Sequence, residues 1–202
     1  MNPHPRSSGL IIACGALARE VAAVLRANRL TGLAVRCLPV ELHNLPERIA
    51  GEVRRRLEAY RSDYARVFVA YADCGTGGRL DAVLDEFGTE RLPGAHCYEC
   101  YAGHAAFTAL AAAEPGTFYL TDFLARHFGR LVWRGLGMDR SPELSGAYFR
   151  NYRRVVYLSQ SGDPRLVERA RTAAARLGLA FEHRHTGYGD LGSRLARFGA
   201  GG

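Results

Sequence analysis

The sequence predicts an α/β fold, with a mainly parallel sheet, flanking helices and Rossmann-like βα units. Short apolar runs alternate along the chain with longer segments of helical character, and this alternation favours parallel strands joined by helices. Several of the apolar runs end in a thiol or small polar residue followed by glycine. Such endings are typical of buried strands that turn sharply into a helix.

The positions of these elements follow from the same pattern. The predicted strands lie, in chain order, at residues 10–15, 33–44, 67–78, 91–99, 116–123, 154–163 and 179–185. Helices are predicted between them, at about residues 16–28, 46–60, 79–87, 102–113 and 164–177, with further helical pieces over residues 124–152. No linker divides the chain. We therefore expect a single α/β domain over residues 10–192, a disordered tail at residues 1–9 and a frayed tail at residues 193–202.

The composition is that of an ordinary globular protein. Of the 202 residues, 48% are hydrophobic and 23% are charged, which excludes a disordered chain, a fibrous repeat and a disulfide-rich mini-protein. The apolar runs are too short to span a bilayer, and the polar N-terminal segment lacks the pattern of a secretion signal. We expect a cytoplasmic protein without a membrane partner.

The net charge of +7 comes from arginine alone, because the chain contains no lysine. The arginines are scattered, with the densest cluster at residues 54–56, whereas nucleic-acid-binding proteins usually concentrate basic residues on one face. Nucleic acid is therefore not an expected partner. The absence of lysine also excludes a Walker phosphate loop and a lysine Schiff base.

Thiols and imidazoles recur near the carboxyl ends of the first four predicted strands. Cys14 ends the first strand, His43 the second and Cys74 the third, while His96 and Cys97 fall in the fourth. Because ligands of open parallel sheets bind beyond the carboxyl ends of the strands, these side chains are expected at one edge. They are ligand types of zinc, and equally of an iron–sulfur cluster with one non-cysteine ligand. The sequence predicts a metal centre at Cys14, His43, Cys74 and Cys97.

Two other interpretations of these residues stay open. The cysteines are alternatively small buried hydrophobic residues without a ligand, as we expect for Cys37. In a third interpretation, Cys74 is a nucleophile with His43 as its base. Whether His96 and Cys100 belong to the site is not decided by the sequence.

Two loops suggest a different kind of site. Gly75, Thr76 and Gly77 lie in the segment DCGTGG, whose successive backbone N–H groups are suited to cradle an anion before a helix. Tyr188 and Asp190 lie in the segment TGYGDL after the last predicted strand, where a loop is able to cover a pocket. The alternative function is therefore a non-metal accessory module that binds a small molecule or anion and buries its cysteines.

Several segments resemble an uncharacterised family, domain of unknown function family 1638, which occurs in methanogenic archaea and in bacteria. The segments are ACGAL, LPVELHNLPERI, YADCGTGG, GAHCYE and PGTFYLTDF, and the resemblance covers about residues 10–192. The residues that match the family blocks are Cys14, His43, Asn44, Cys74, Gly75, His96 and Cys97. The chain departs from archaeal members in the fourth block, where Ala95, His96 and Cys97 stand in place of His-Asp-Cys.

The resemblance implies a setting but no established activity. Members are associated with genes of corrinoid-dependent methyl transfer, so the resemblance implies a role in one-carbon metabolism with corrinoid methyltransferase proteins as partners. Together with the residues above, it leads us to expect a cytoplasmic metalloprotein with zinc or an iron–sulfur cluster at the strand ends.

Overall fold

The computed structural model describes residues 9–201 of the chain. These residues divide into two compact units, one of residues 9–100 and 188–201 and the other of residues 101–187. Each unit has its own sheet, and all strand pairings of the described residues are parallel. The predicted α/β fold is confirmed. The described strands pair into two separate sheets, and the single domain expected over residues 10–192 stays a prediction.

The elements have the following bounds. The strands are β1 (Gly9–Cys14), β2 (Leu33–Leu38), β3 (Arg66–Ala70), β4 (Glu90–Arg91), β5 (Thr117–Leu120), β6 (Arg154–Ser159) and β7 (Ala180–His185). The α-helices are α1 (Ala18–Ala27), α2 (Pro46–Tyr60), α3 (Arg79–Phe87), α4 (Cys97–Ala102), α5 (His104–Ala113), α6 (Asp122–Phe128), α7 (Leu144–Phe149), α8 (Pro164–Leu177) and α9 (Gly189–Ala200). A π-helical segment, Gly129–Arg134, follows α6. Within residues 9–201, no helix combines the length and the apolar character needed to cross a membrane.

The first unit is built around β1, which lies between β2 and β3 in the strand order β2-β1-β3-β4. Every residue of β1 is buried, and Leu10, Ile11 and Ile12 have no exposed surface. A parallel strand with neighbours on both sides and cover on both faces needs a continuous apolar run. This requirement explains why β1 gives a clear strand signal in the sequence.

The chain leaves β1 through a tight turn at Gly15. A Cβ atom added to Gly15 would lie 2.7 Å from the carbonyl oxygen of Leu38, the residue opposite Cys14 in the pairing of β1 with β2. Only a residue without a side chain allows the two backbones to approach this closely. The turn therefore sets the position of Cys14 relative to the segment that follows β2.

The second unit contains the sheet β5-β6-β7, with β6 in the middle. Residues of α6 and α8 form one core with Val155 and Tyr157 of β6. The α8 helix contributes a stripe of apolar residues at helical spacing, and such a stripe buries one side of a helix. The buried residues of α8 are Leu166, Ala170, Ala173, Ala174 and Leu177.

A buried carboxylate joins the loops at the carboxyl ends of β5 and β6. Asp122, at the start of α6, is completely buried and accepts a hydrogen bond from the Tyr157 hydroxyl at 2.6 Å. It also accepts from the backbone N–H groups of Gln160 and Ser161, both at 3.0 Å. Burial alone would raise the pKa of Asp122, but the hydrogen bonds outweigh burial and lower the pKa below its usual value.

Five of the predicted strands are markedly shorter than expected, and for the second and fourth this changes where candidate site residues lie. The second strand ends at Leu38, because Pro39 has no N–H group for the ladder, and a 3-10 turn follows over Val40–Asn44. Of the fourth predicted strand, residues 91–99, only Arg91 is in a strand. A proline and a glycine follow at residues 93–94, and α4 begins at Cys97. His43 and Cys97 therefore lie beyond strands, and not within them.

The two predicted tails have different outcomes. Most of the C-terminal tail expected over residues 193–202 instead belongs to α9, which extends to Ala200 and packs against α1. Leu191 and Leu195 of α9 are completely buried, since their spacing places both on one face of the helix. The N-terminal tail expected at residues 1–9 lies outside the described residues except for Gly9, which begins β1.

Replacing Gly15 by alanine is expected to lower the free energy of unfolding by about 1–3 kcal/mol, because the new Cβ would press against the Leu38 carbonyl oxygen. Gly51→Ala is the matched control. Gly51 is exposed within α2 and an added Cβ there meets nothing within 4 Å, so this change should stabilise the protein by about 0.5–1 kcal/mol. Urea unfolding measures both changes. Similar effects of the two substitutions would contradict the close approach at Gly15.

The lowered pKa of Asp122 makes part of the stability depend on pH. A carboxyl group whose pKa is lower in the folded protein stabilises fully above its unfolded pKa, about 4, and this stabilisation is lost as the pH falls through the folded pKa. We expect Asp122→Asn to lower the free energy of unfolding by about 2 kcal/mol at pH 7. The variant should also show a shallower loss of stability below about pH 4 than the wild type.

Denaturant unfolding between pH 2 and pH 7 tests this expectation. Asp85→Asn, which removes an exposed carboxylate on α3, serves as the control and should keep the wild-type profile. If Asp122→Asn lost stability with acid as steeply as the wild type, the buried carboxylate would not be the cause.

Candidate functional site

Cys14 and His43 are brought together at the carboxyl edge of the first sheet. Cys14 ends β1, and the pairing of β1 with β2 places it opposite Leu38. The 3-10 turn Val40–Asn44 then folds His43 back, so that its Nδ1 lies 3.6 Å from Cys14 Sγ. Cys14 Sγ also accepts a hydrogen bond from the backbone N–H of Ala16 at 3.4 Å. A tight turn after each of two adjacent strands therefore brings Cys14 and His43 together.

Cys74 reaches the same edge on the extended segment after β3. The backbone N–H of Asp73 donates to the Gly94 carbonyl at 3.1 Å, and that of Cys74 donates to the Ala95 carbonyl at 2.7 Å. These bonds continue the pairing between β3 and β4 past the ends of both strands. They place Cys74 beside the segment that leads directly into Cys97. We call Cys14, His43, Cys74 and Cys97 together the thiol edge.

The backbone of Cys74 has an unusual conformation. Its φ is +50°, in the left-handed region, which costs energy for a residue with a side chain. Gly75, which follows, is also left-handed at +83°, and a Cβ there would lie 3.4 Å from Pro46. Strained residues of this kind cluster at functional sites, where the surrounding structure holds them in place.

The three thiols of the thiol edge influence one another electrostatically. Burial is the main reason that their pKa values are raised, to about 11 for Cys14 and about 12 for Cys74. The pKa of Cys97 is also well above its ordinary value, first through burial and then through the charges of Cys74 and Cys14. Partial desolvation lowers the pKa of His43, which favours its neutral imidazole. The edge therefore disfavours charge of either sign.

Tyr71 is a member of this environment that the sequence did not suggest. It is completely buried just after β3, and its hydroxyl has the Cys14 thiol as a side-chain partner. Burial raises the pKa of Tyr71, and the neighbouring thiols of Cys14 and Cys74 raise it further. A buried hydroxyl beside thiols is expensive unless it finds a polar partner. In the sequence, the one feature that could have pointed to Tyr71 is its position at the end of a buried strand.

Cys100 and Cys37 lie in different surroundings. The Cys100 thiol of α4 is buried and donates to the carbonyl of Pro93, in the segment before α4, at 3.0 Å. Cys37, expected in the core, is instead exposed on β2, an edge strand of the sheet. All five cysteines are free thiols. His96 packs against Tyr98, with 5.8 Å between ring centroids.

The loop predicted to bind an anion holds a carboxylate of its own. Asp73 accepts hydrogen bonds from the hydroxyl of Thr76 at 2.5 Å and from the N–H of Gly77 at 3.2 Å. The N–H of Gly78 donates to the same carboxylate at 3.1 Å. Burial alone would raise the pKa of Asp73, but these bonds lower it overall. An external anion at Gly75, Thr76 and Gly77 would have to displace this carboxylate, and the hypothesis stays a prediction.

The second loop lies at the start of α9. Tyr188 precedes the helix, and Asp190 is in its first turn. The charge of Asp190 contributes to the raised pKa of Cys100, after burial and the charge of Cys74, so it lies near that thiol. A carboxylate in this position repels an anion, and binding by Tyr188 and Asp190 also stays a prediction.

The side chains of the thiol edge do not form a complete metal site in their present arrangement. As the side chains stand, no three Cys, His, Asp or Glu residues among residues 9–201 are close enough together to hold a metal ion. A metal ion at this edge would therefore require Cys14, Cys74 and Cys97 to turn toward a common point.

The sequence also left two histidines of the second unit without a role. His183 and His185 alternate along β7, and therefore share one face of the sheet. The hydroxyl of Ser159, completely buried at the end of β6, lies 2.9 Å from His183 Nε2 and 3.1 Å from His185 Nδ1. The His-x-His spacing was the available signal, but only the pairing of β6 with β7 brings in Ser159.

Comparison with known proteins gives a family and no activity. The sequence model of a family described as a protein of unknown function, DUF1638, matches residues 37–195. This range includes His43, Cys74 and Cys97 and begins after Cys14. Searches of curated proteins and of solved structures found no match. The matched range covers most of the chain, and the protein belongs to the DUF1638 family.

Proposed function

We propose that the chain is a cytoplasmic metalloprotein that binds zinc or an iron–sulfur cluster through Cys14, Cys74 and Cys97. His43 would be a fourth ligand or a hydrogen-bonding partner of one ligand. The observation that carries this proposal is the convergence of three thiols and an imidazole, from four chain segments, at one edge of a parallel sheet. Thiolate and imidazole are the protein ligands that zinc and iron–sulfur clusters take most readily.

Simple packing does not account for this edge. A cysteine that only fills space needs no left-handed backbone, yet Cys74 adopts one. A bound metal would supply that reason, since it would hold a strained ligand in place.

The geometry favours a metal over nucleophilic catalysis by Cys74. A catalytic thiol needs a base within hydrogen-bond reach, but the thiol that His43 contacts is Cys14. Reactive thiols also have lowered pKa values, whereas the pKa of Cys74 is raised to about 12.

A centre with three thiolate ligands and an open position would act as a Lewis acid toward a small ligand or a methylated thiol. The family resemblance suggests corrinoid-dependent one-carbon metabolism as its setting, with corrinoid methyltransferase proteins as partners. Within this proposal the protein chain positions the ligands and limits access of water, while the metal supplies the electrophile. Metal binding would release protons, because the thiols must ionise to coordinate it.

Metal content tests the proposal directly. Protein purified without oxygen should contain about one zinc per chain, or iron with inorganic sulfide and a broad visible absorption band. Cys74→Ser should lose most of the metal, because the hydroxyl of serine is a poor replacement for a thiolate. Cys37→Ser is the matched control, since Cys37 is exposed on β2 and outside the thiol edge. Circular dichroism verifies that both variants are folded. Full metal retention in folded Cys74→Ser would overturn the proposal.

The metal-free protein provides a second test. With pKa values near 11 and 12, Cys14 and Cys74 should be alkylated slowly by iodoacetamide at pH 8, when about a thousandth of the Cys14 thiol or less is ionised. The rates should rise about tenfold per pH unit until the pH reaches the pKa, and mass spectrometry of peptides reads each site separately. One thiol of this edge that reacts fast at pH 8 would instead favour nucleophilic catalysis.

A further inference from the structure

A groove in the second unit is lined by arginines from two sides. One side is formed by α6 and the π-helical segment Gly129–Arg134, and the other side by α8. Two adjoining cavities, of about 580 and 530 Å³, share Arg126, Gly129 and Arg176 as lining residues. We call this the arginine groove. Its arginines are Arg126, Arg130, Arg134, Arg165, Arg169 and Arg176.

The spacing of these arginines places them in two rows. Arg126, Arg130 and Arg134 follow one another at intervals of four residues, and Arg165 and Arg169 repeat this interval on α8. Residues four apart lie on one face of a helix, about 6 Å apart along its axis. The rows are thus a consequence of sequence spacing, although only the packing of α6 against α8 makes them face a common groove.

Few carboxylates balance this charge. The acidic side chains that line the two cavities are Asp139 and Glu168. Glu168 lies 3.7 Å from Arg171, on its own helix. Arg165 and Arg169 form no ion pair with a carboxylate of the described residues, and both are exposed. One groove arginine, Arg126, lies 3.6 Å from the buried carboxylate of Asp122. The six arginines still outnumber these three carboxylates, so the groove carries a net positive charge that attracts an anion.

Several arginines outside the groove form ion pairs. Arg54 lies against Glu86, Arg91 against Asp81 and Arg154 against Glu182, with N–O distances of 2.5, 2.5 and 2.8 Å. Six arginines line the two adjoining cavities of the groove. A long nucleic acid would need a continuous basic stripe, and a second copy of this surface would be repelled by its charge. The charge distribution favours a small anion with several negative charges.

The groove is also pre-organised. The Arg176 guanidinium lies over the ring of Trp133 at 3.7 Å from its centroid, which holds the arginine in place by a cation–π contact. Trp133 belongs to the π-helical segment, a rare conformation that is frequent at functional sites. Gly135 directly follows the π-helical segment, and a Cβ atom at this position would collide with the Leu131 carbonyl oxygen. The π-helical segment, whose turns are wider than those of an α-helix, therefore requires glycine at position 135.

We propose that the arginine groove binds the phosphate groups of a small polyphosphate ligand, such as a nucleoside diphosphate or triphosphate. Guanidinium groups form paired hydrogen bonds with phosphate oxygens, and two facing rows can hold two or more phosphates at once. The cavities are within the size range of small-molecule sites. This function is additional to the proposed metal centre and rests on none of its residues.

The single tryptophan of the chain reports on binding, because Trp133 lines the groove. Titration of the full chain with inorganic tripolyphosphate at low salt should change the tryptophan fluorescence in a saturable way. Arg165→Gln/Arg169→Gln removes two groove charges and leaves the contact of Arg176 with Trp133 intact. We expect this variant to bind about tenfold more weakly or worse. Adenosine triphosphate, followed by calorimetry, shows whether a nucleoside adds affinity to the phosphates.

Arg150→Gln/Arg153→Gln is the matched control, since it removes two exposed charges of the same unit outside the groove. Its affinity should remain within about twofold of the wild type, because the screened attraction of distant charges is small. Absence of saturable binding at millimolar tripolyphosphate, or equal weakening in both double variants, would overturn the proposal. A single-stranded oligonucleotide or an acidic peptide that binds the groove more tightly than tripolyphosphate and adenosine triphosphate would also overturn it.

Discussion

The close approach of two backbones at the end of β1 is the constraint on which the first unit depends. With glycine at position 15, the chain turns against the Leu38 carbonyl and still keeps β1 in register with β2. This turn ends β1 at Cys14, and the turn after β2 brings His43 to meet it. On the other side of β1, the β3–β4 pairing continues through Cys74. The segments that follow three neighbouring strands therefore lie at the same edge of the sheet.

In the second unit, a buried carboxylate has the corresponding role. Asp122 is bonded to a side chain of β6 and to the backbone of the loop that follows β6, so one group fixes the starts of two βα connections. Its negative charge is stabilised by hydrogen bonds that outweigh the cost of burial. Arg126 lies one helical turn further along α6, at 3.6 Å from Asp122. The same short helix therefore has a satisfied carboxylate at one end and contributes to a positive groove further on.

The two candidate sites differ in their physical character. The thiol edge consists of largely neutral groups that desolvation keeps uncharged, which suits it to a cation that ionises the thiols as it binds. The arginine groove carries permanent charge near solvent, which suits it to a polyanion. The candidate site of the first unit therefore suits a cation, and that of the second unit suits an anion.

The sequence by itself determined the fold class, the approximate elements and the occurrence of thiols and imidazoles near the strand ends. Buried parallel strands need continuous apolar runs, and their exits need glycine, so β1 and its Cys-Gly ending are visible without a structure. Tertiary structure alone decided three other features. These are the contact of Cys14 with His43, the left-handed backbone of Cys74 and the arrangement of two arginine rows on opposite sides of one groove. Tertiary structure also decided the division into two sheets. Local patterns specify which face of a strand or helix is buried, but not which strands pair or which helices face each other, because those choices depend on contacts between residues far apart in the chain.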